Sequence, residues 1–178
     1  MKNVFEKEIL TLKDRKKVNK KILQQFLKRI KVGKLTRNLN PADHFCTFIV
    51  PFDLKSKNIF IGHHINADQW IPPGGHIEEY EQPVNTVKRE FEEELGVKIT
   101  DKQIELFDLG ITNVQGKQRS CKIHYDFWYL VFITKLNFKF DKKEFYKAQW
   151  LTIDESIKKV SHISIIKALN KLKNIHRL

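Results

Sequence analysis

The chain has 178 residues, of which 41% are hydrophobic and 30% are charged, and its formal net charge is +12. This length suits one domain of ordinary size with an appendage. No run approaches the roughly 18 uncharged apolar residues that a membrane span requires. The basic N-terminus leads into a charged stretch instead of the apolar core of a secretory signal. We therefore expect a cytoplasmic protein that does not span a membrane.

The charge is distributed unevenly along the chain. Residues 1–37 carry 13 basic and 3 acidic side chains, residues 38–141 carry 11 and 15, and residues 142–178 carry 9 and 3. Basic ends around an acidic middle are typical of a protein that attracts a polyanionic substrate or a nucleic acid. A lysine-rich composition that places Lys on every solvated face gives the same totals. Both interpretations stay open on charge alone.

The first elements are a helix, a linker and two strands. Apolar residues at helical spacing predict an amphipathic helix over residues 18–30, which Gly33 ends. Residues 36–43 contain Asn38, Asn40 and Pro41, which are typical of a linker. We therefore predict a basic helical extension with its linker over residues 1–43 and the main domain over residues 44–178. Short apolar runs at 45–50 and 58–62 predict a strand pair.

The middle of the chain is divided by strong helix and loop signals. Residues 66–82 contain two prolines followed by two glycines, and we predict a loop there. Pro83 suits the first position of a helix and Gly96 suits its left-handed C-cap. Strands are predicted over 104–109, 123–134 and 147–151, the second of them central in the sheet. A capping box from Thr152 to Glu155 opens a terminal helical region, with its apolar stripe over 162–172.

The helix that starts at Pro83 carries three acids on one side. At about 100° per residue, Glu90, Glu93 and Glu94 fall within roughly 100° of one another. The apolar residues Val84, Val87, Phe91 and Leu95 occupy an adjacent sector. The pattern predicts that one side of the helix is buried and that the side next to it carries the carboxylates. Because like charges at this spacing repel, a cation should compensate them. Mg²⁺ or Mn²⁺, which prefer oxygen ligands, would do so.

The spacing around this helix resembles the complete Nudix box. Gly75 is followed after five residues by Glu81, and after seven more by Arg89-Glu90-Phe91-Glu92-Glu93-Glu94-Leu95-Gly96-Val97. Every fixed polar and glycine position matches. Phe91 stands where an aliphatic residue is usual, and as an apolar residue on the buried side it calls only for repacking. The approach to the box, from His63-His64 through Trp70 to Pro72-Pro73-Gly74-Gly75-His76, is similar to a bacterial subgroup of the family with no single substrate. The resemblance extends over residues 44–157.

The resemblance implies an α+β fold in which a mixed β-sheet is sandwiched between helices. It also implies metal-dependent hydrolysis of a nucleoside diphosphate linked to another group, giving a nucleoside monophosphate. Glu90 and Glu94 would be metal ligands, Glu93 a third ligand or the group that orients the attacking water, and the Gly74 carbonyl an additional ligand. Arg89 would hold a box carboxylate, and Gly75, Glu81 and Gly96 would shape the box.

The resemblance leaves other roles open. A downstream acid often serves as base or ligand in the family, and the candidates are Glu144 and Asp126. Trp70 stacks on a base or merely closes its loop, and His76 and Arg37 are candidates for substrate contact. Residues 113–115 carry none of the marks of substrate-specialised members. The substrate is therefore either a small nucleotide or, through the basic terminal segments, the 5′ end of an RNA, and the N-terminal helix could support a homodimer.

The histidines and cysteines give weaker signals. Cys46 and Cys121 have no paired spacing, which predicts buried small hydrophobic residues. A zinc site is an alternative role for the histidines His63, His64, His76 and His124. No pair of them, however, has the tight helical spacing that is typical of zinc ligands. Polar lining or substrate contact is the interpretation we prefer from the sequence.

Overall fold

The structure, a computed structural model, describes residues 2–12, 18–114, 120–134 and 139–175. Part of the charged stretch, at 13–17, and residue 115 lie outside these ranges. The helices are α1 (Lys2–Leu10), α2 (Lys20–Val32), α3 (Pro83–Leu95), α4 (Ile153–Lys159) and α5 (Ile163–Ile175). The strands are β1 (Asp43–Asp53), β2 (Ile59–His64), β3 (Gln69–Ile71), β4 (Gly74–His76), β5 (Ile104–Asn113), β6 (Ile123–Ile133) and β7 (Phe145–Leu151). A short 3₁₀ turn, Asp101–Gln103, precedes β5.

The strands form one mixed sheet in the order β3-β2-β1-β6-β5, with β4 beside β1 and β7 beside β2. The β1 and β6 strands are parallel over their whole length, from Asp43 opposite Ile123 to Asp53 opposite Ile133. The pairs that β4 makes with β1 and that β5 makes with β6 are antiparallel. The predicted central position of β6 is confirmed, and so is the mixed sheet of an α+β fold.

Side chains alternate between the two faces of the sheet, and each face has its own core. Phe45 and Phe127 pack with α1, α2 and α3 in the first core. Phe52 and Trp128, whose side chains point to the other face of the sheet, pack with α5 in the second core. This period of two is the ordinary geometry of strands. It places helices on both faces of the sheet, as predicted.

The N-terminal helices pack on the first face of the sheet. The predicted helix is confirmed as α2, which begins after an Asn19 cap and ends at Gly33. The α1 helix was not predicted, because only Phe5 and Ile9 mark its apolar side. Both of these residues are fully buried in the first core. The Tyr129 hydroxyl of β6 donates to a Glu8 carboxylate oxygen at 2.9 Å, which fixes α1 to the middle of the sheet.

The prediction of a loop over residues 66–82 is wrong in part. Two three-residue strands, β3 and β4, lie within it. Their hydrogen bonds come from partners distant in sequence, with Gly75 opposite Thr47, so local composition could not reveal them. Gly74 has φ +147°, and a Cβ there would lie 2.2 Å from the Thr47 carbonyl oxygen. The glycines thus permit a close approach of two backbones instead of breaking the strand.

The predicted helix boundaries around the acidic helix are confirmed. Pro83 begins α3, and Gly96 ends it in the left-handed region with φ +67°. The Thr152–Glu155 capping box is present at the start of α4. Among the described residues, no helix combines the length and apolar character needed to cross a membrane.

Candidate active site

Arg89 is the centre of a hydrogen-bond network at the acidic end of α3. Its Nε and Nη2 donate to the two Glu81 carboxylate oxygens at 2.9 and 3.0 Å. Its Nη1 donates to Glu90 at 2.8 Å and to Glu93 at 3.1 Å. Nη2 also donates to the His76 carbonyl oxygen at 3.2 Å, which joins the helix to β4. One guanidinium therefore fixes three acids and a strand, through bidentate pairing that lysine could not reproduce.

Glu81 orders the turn that leads into α3. It accepts from the Thr86 hydroxyl at 2.7 Å and from the Glu78 N–H at 3.1 Å. Burial opposes ionisation of this carboxyl, but the hydrogen bonds from Arg89 and Thr86 outweigh it and lower the Glu81 pKa. Glu81 is therefore an ionised anchor for Arg89.

Glu90 lies against the backbone of β4. Its side chain is 13% exposed, and a Cβ on Gly75 would lie 2.0 Å from its Oε1. Burial raises the Glu90 pKa, and the neighbouring Arg89 opposes that rise. The Glu90 carboxylate can occupy this position only because Gly75 has no side chain.

Glu94 is buried, in contrast to the prediction of three carboxylates beside the buried side of the helix. It is 4% exposed, because β4 crosses over it and the Gly74 N–H donates to its Oε2 at 3.0 Å. The Gly74 contact with this acid is thus through N–H, whereas the prediction concerned its carbonyl. Burial, and then the charge of Glu90, raise the Glu94 pKa well above its usual range. Glu93 differs again, with 59% of its side chain exposed.

The structure brings Glu144, and not Asp126, to the box. Ligand atoms of Glu94, Glu144 and His64 lie within 4.8 Å of one another, and His64 Nε2 is 3.4 Å from Glu144 Oε2. Asp126 is fully buried on β6 and accepts from the Thr112 hydroxyl at 2.5 Å. Burial raises the Asp126 pKa to about 7. Asp126 therefore belongs to a separate polar cluster.

The donor set around Glu94 fits a divalent cation. Glu94 is a buried acid whose ionised form is disfavoured by burial and by the charges of Glu90 and Glu144. A bound cation would remove this penalty, and carboxylate oxygens are the ligands that Mg²⁺ and Mn²⁺ prefer. The site can therefore hold such an ion between α3 and the segment that precedes β7.

A cleft of about 180 Å³ opens beside Glu90. Arg37 and His76, the predicted substrate contacts, both line it, together with Asn38, Ile77 and Glu78. Arg37 reaches it from a turn in which the Thr36 carbonyl accepts from the N–H groups of Leu39 and Asn40. The predicted linker is thus a structured part of the cleft wall.

Trp70 lies elsewhere, on β3. Its ring contacts His63 edge to face at a centroid distance of 5.8 Å. The Lys159 ammonium lies 4.3 Å from the ring centroid and that of Lys147 lies 5.7 Å away. Trp70 is not among the residues that line the cleft.

The histidines separate into two groups. His63 and His64 are on β2, whereas His76 and His124 lie with His44 and Cys121. Burial, and then the charges of His44, Arg37 and Arg89, lower the His76 pKa to about 4, so His76 is neutral near pH 7. The sequence interpretation missed His44 and Cys121 because their neighbours come from other strands. The predicted burial of both cysteines is confirmed.

Comparisons with known proteins identify one family and a shared fold. A family model described as "NUDIX domain" matches residues 43–169. The fold is similar to that of the E. coli dihydroneopterin triphosphate pyrophosphohydrolase, with 16% identity, a TM-score of 0.63, and coverage of 71% of this chain and 92% of the other. It is also similar to a C. elegans Ap4A hydrolase (16%, TM-score 0.57, coverage 73% and 96%). A NUDIX-family hydrolase from Clostridium perfringens is similar as well (19%, TM-score 0.56, coverage 75% and 98%). No curated protein sequence matches significantly.

Proposed function

This chain belongs to the Nudix hydrolase family, and on that premise we propose that it hydrolyses the diphosphate linkage of a nucleoside diphosphate derivative in a Mg²⁺-dependent reaction. The products are a nucleoside monophosphate and the phosphorylated remainder. Mn²⁺ is the alternative cation. The burial of Glu94 beneath β4, with Glu144 and His64 facing it, carries this proposal.

Glu90 and Glu94 would hold the cation through carboxylate oxygens, and the Gly74 carbonyl would be a further ligand. When bound, a divalent cation neutralises charge on the diphosphate oxygens and makes a bound water acidic enough to react near neutral pH. Arg89 keeps Glu90 and Glu93 in position through its hydrogen bonds of 2.8 and 3.1 Å. Glu93, at the exposed rim, orients the attacking water.

Glu144 accepts the proton of the attacking water. Its carboxylate lies beside Glu94 and is 39% exposed, so solvent can carry the proton away. The imidazole of His64, 3.4 Å from Glu144 Oε2, keeps this carboxylate turned towards Glu94. A Glu144→Gln variant should retain cation binding more fully than turnover.

The cleft beside Glu90 binds the substrate. Arg37 offers a guanidinium to phosphate oxygens, for which its planar donor geometry is suited. His76 lines the same cleft and is neutral near pH 7. Trp70, flanked by Lys147 and Lys159, lies outside the cleft and is an aromatic contact that a longer substrate would reach.

A screen with Mg²⁺ in which the monophosphate and pyrophosphate products are separated by chromatography tests the proposal. The panel contains nucleoside triphosphates, sugar nucleotides, dinucleotides, and capped and triphosphorylated RNA. We expect turnover of at least one nucleoside diphosphate derivative, loss of turnover in a chelator, and its recovery when Mg²⁺ is added back. Turnover that persists in the chelator would contradict the proposed chemistry.

The second candidate substrate is the 5′ end of an RNA. Arg37, which lines the cleft, follows the basic helix α2, where Lys20, Lys21 and Lys31 are exposed. This arrangement extends positive charge away from the catalytic acids. A Lys20→Gln, Lys21→Gln, Lys31→Gln variant should weaken RNA turnover and flatten its salt dependence, while leaving nucleotide turnover intact. Equal effects on both substrates would exclude the RNA assignment.

Removing residues 1–37 is a poor test of RNA binding, because Phe26 and Ile30 are in the core and their loss would unfold the domain.

A further inference from the structure

Four potential metal ligands meet at the start of the parallel strand pair, in a group separate from that of Glu94 and Glu144. They are His44 of β1, His76 of β4, His124 of β6 and Cys121, which precedes β6. One of them, His76, also lines the cleft. One ligand atom from each lies within 4.8 Å of all the others. We call this group the His₃Cys cluster.

The register of the sheet places the three imidazoles together. His44 is directly opposite His124 in the parallel pair, and His76 is opposite Cys46, two residues further along β1. Residues two apart on one strand and residues paired across strands lie on the same face of a sheet. The ring centroids of His44 are 4.9 Å from those of both His76 and His124, and the last two are 5.2 Å apart.

His44 is arranged as a metal-binding histidine. Its Nδ1 lies 3.0 Å from the Asn40 carbonyl oxygen, which makes Nδ1–H the donor and leaves the Nε2 lone pair available. His44 is fully buried, and its Nε2 has no hydrogen-bond partner among the described residues. A backbone carbonyl that orients an imidazole in this way is the usual second partner of a metal-bound histidine.

Cys121 and His76 have the separation of two ligands on one ion. The Cys121 Sγ atom lies 3.7 Å from His76 Nε2. Two ligands at about 2.3 and 2.0 Å from a tetrahedral zinc ion are separated by roughly 3.5 Å. The cluster needs only small side-chain adjustments to close around one ion.

We propose that the His₃Cys cluster is a zinc site. Three imidazoles and one thiolate are a nitrogen and sulfur donor set, which favours Zn²⁺ over the Mg²⁺ that suits the carboxylates of the box. Four protein ligands complete a tetrahedron and leave no position for water or substrate. The site is therefore structural and separate from the catalytic cation.

The zinc ion fixes the strand on which the box rests. It ties β4 to β1 and β6 through His76. The carbonyl of His76 accepts from Arg89 at 3.2 Å, and the preceding Gly75 lies against Glu90. Zinc bound on one face of β4 thus holds the backbone that positions the catalytic acids on the other.

Cobalt substitution tests the site with a readout that does not depend on activity. The full-length protein is stripped of metal, loaded with one equivalent of Co²⁺, and its absorption is recorded. We expect intense tetrahedral bands and a thiolate-to-cobalt charge-transfer band, all of which one equivalent of Zn²⁺ removes. Carboxylates of the box cannot give the thiolate band, so its absence in the wild type would overturn the proposal.

Two cysteine variants identify the thiolate. Cys121→Ser should lose the charge-transfer band, and Cys46→Ser, the matched control, should retain it. Cys46 forms an adjoining group with His124 and Asp126, so the reverse result would place the metal there and overturn the assignment of Cys121. His44→Gln should weaken zinc binding, whereas His63→Gln, on β2, should bind zinc like the wild type.

Alkylation of the wild-type protein covers the case in which Cys121→Ser does not fold. The metal-free protein is treated with iodoacetamide with and without Zn²⁺, and the modified peptides are quantified by mass spectrometry. We expect Zn²⁺ to abolish modification of Cys121 while leaving that of Cys46 unchanged. The same rate for Cys121 in both conditions would overturn the proposal.

Discussion

The Arg89 guanidinium donates hydrogen bonds to both carboxylate oxygens of Glu81, at 2.9 and 3.0 Å, across the turn that precedes the acidic helix. The same guanidinium reaches Glu90, Glu93 and the carbonyl of His76. Glu81 therefore acts through Arg89, as the anchor that fixes where the catalytic carboxylates lie. This relationship explains why an acid eight residues before the arginine belongs to the box.

Replacing Arg89 by Lys should separate charge from geometry. Lysine keeps the positive charge but cannot pair with Glu81 bidentately while also reaching Glu90. We expect kcat/KM to fall by about 100-fold, because a displacement of about 1 Å in a catalytic group has that effect. Steady-state hydrolysis measures the fall.

Lys98→Ala is the control for this variant. Lys98 pairs with Glu92 and its side chain is 84% exposed, so its stability should change by less than about 0.5 kcal/mol. Wild-type activity in Arg89→Lys would contradict the positioning role, since charge alone would then suffice.

Gly75→Ala tests the contact between β4 and Glu90. The new Cβ would lie 2.0 Å from Glu90 Oε1, so the carboxylate must leave its place. We expect turnover to fall by about 100-fold from this misplacement. The Mg²⁺ concentration that gives half the maximal rate should rise, because a displaced Glu90 binds the cation less tightly. A titration of activity against Mg²⁺ concentration measures both.

Gly33→Ala is the matched glycine control. Gly33 ends α2 with φ +82° and ψ −166°, a backbone conformation that essentially only glycine adopts, so alanine there should cost about 1–3 kcal/mol of stability. It has no contact with the acids, and its activity should follow that of the wild type. Equal loss of activity in the two variants would attribute the Gly75 effect to stability instead of geometry.

The sequence predicted the elements that local signals define. Pro83 and Gly96 marked the acidic helix, and the apolar run of β6 marked the central strand. Contacts distant in sequence account for what was missed. The β4 strand looked like a loop because its partner is Thr47 on β1, and α1 has too few apolar residues to be recognised without the sheet that buries them.

The site shows the same division. The helical wheel placed Glu90, Glu93 and Glu94 together, and the structure agrees, but it could not show that β4 buries Glu94. The approach of Glu144 to Glu94 and of Cys121 to His76 depends on how strands are paired across the sheet. No spacing rule within one segment contains that information.

Glu8→Gln should change the pH dependence of stability. Burial raises the pKa of Glu8, against the hydrogen bond from Tyr129. The folded state therefore prefers protonated Glu8. The stability that this preference contributes is present below the unfolded pKa, near 4.5, and is lost as the pH rises through the higher folded value.

Gln keeps an acceptor for Tyr129 and cannot ionise. We therefore expect Glu8→Gln to gain stability relative to the wild type as the pH rises above about 4.5, measured by urea unfolding at several pH values. Tyr129→Phe should show the opposite trend, since it leaves an ionised Glu8 without its donor. Parallel profiles for Glu8→Gln and the wild type would contradict a raised pKa for the half-buried Glu8.

The most direct measurement compares Glu94→Gln with Glu92→Gln in Mg²⁺-dependent hydrolysis. Both are one-atom changes on α3, but Glu94 is buried beside Glu144, whereas the Glu92 side chain is 51% exposed and pairs with Lys98. Both variants should remain folded, and removing the neutralising power of a metal ligand should reduce turnover by about 100-fold, equivalent to about 3 kcal/mol. Loss in Glu94→Gln with retention in Glu92→Gln is the predicted result; equal rates in the two variants would contradict the assignment of α3 as the metal-binding helix.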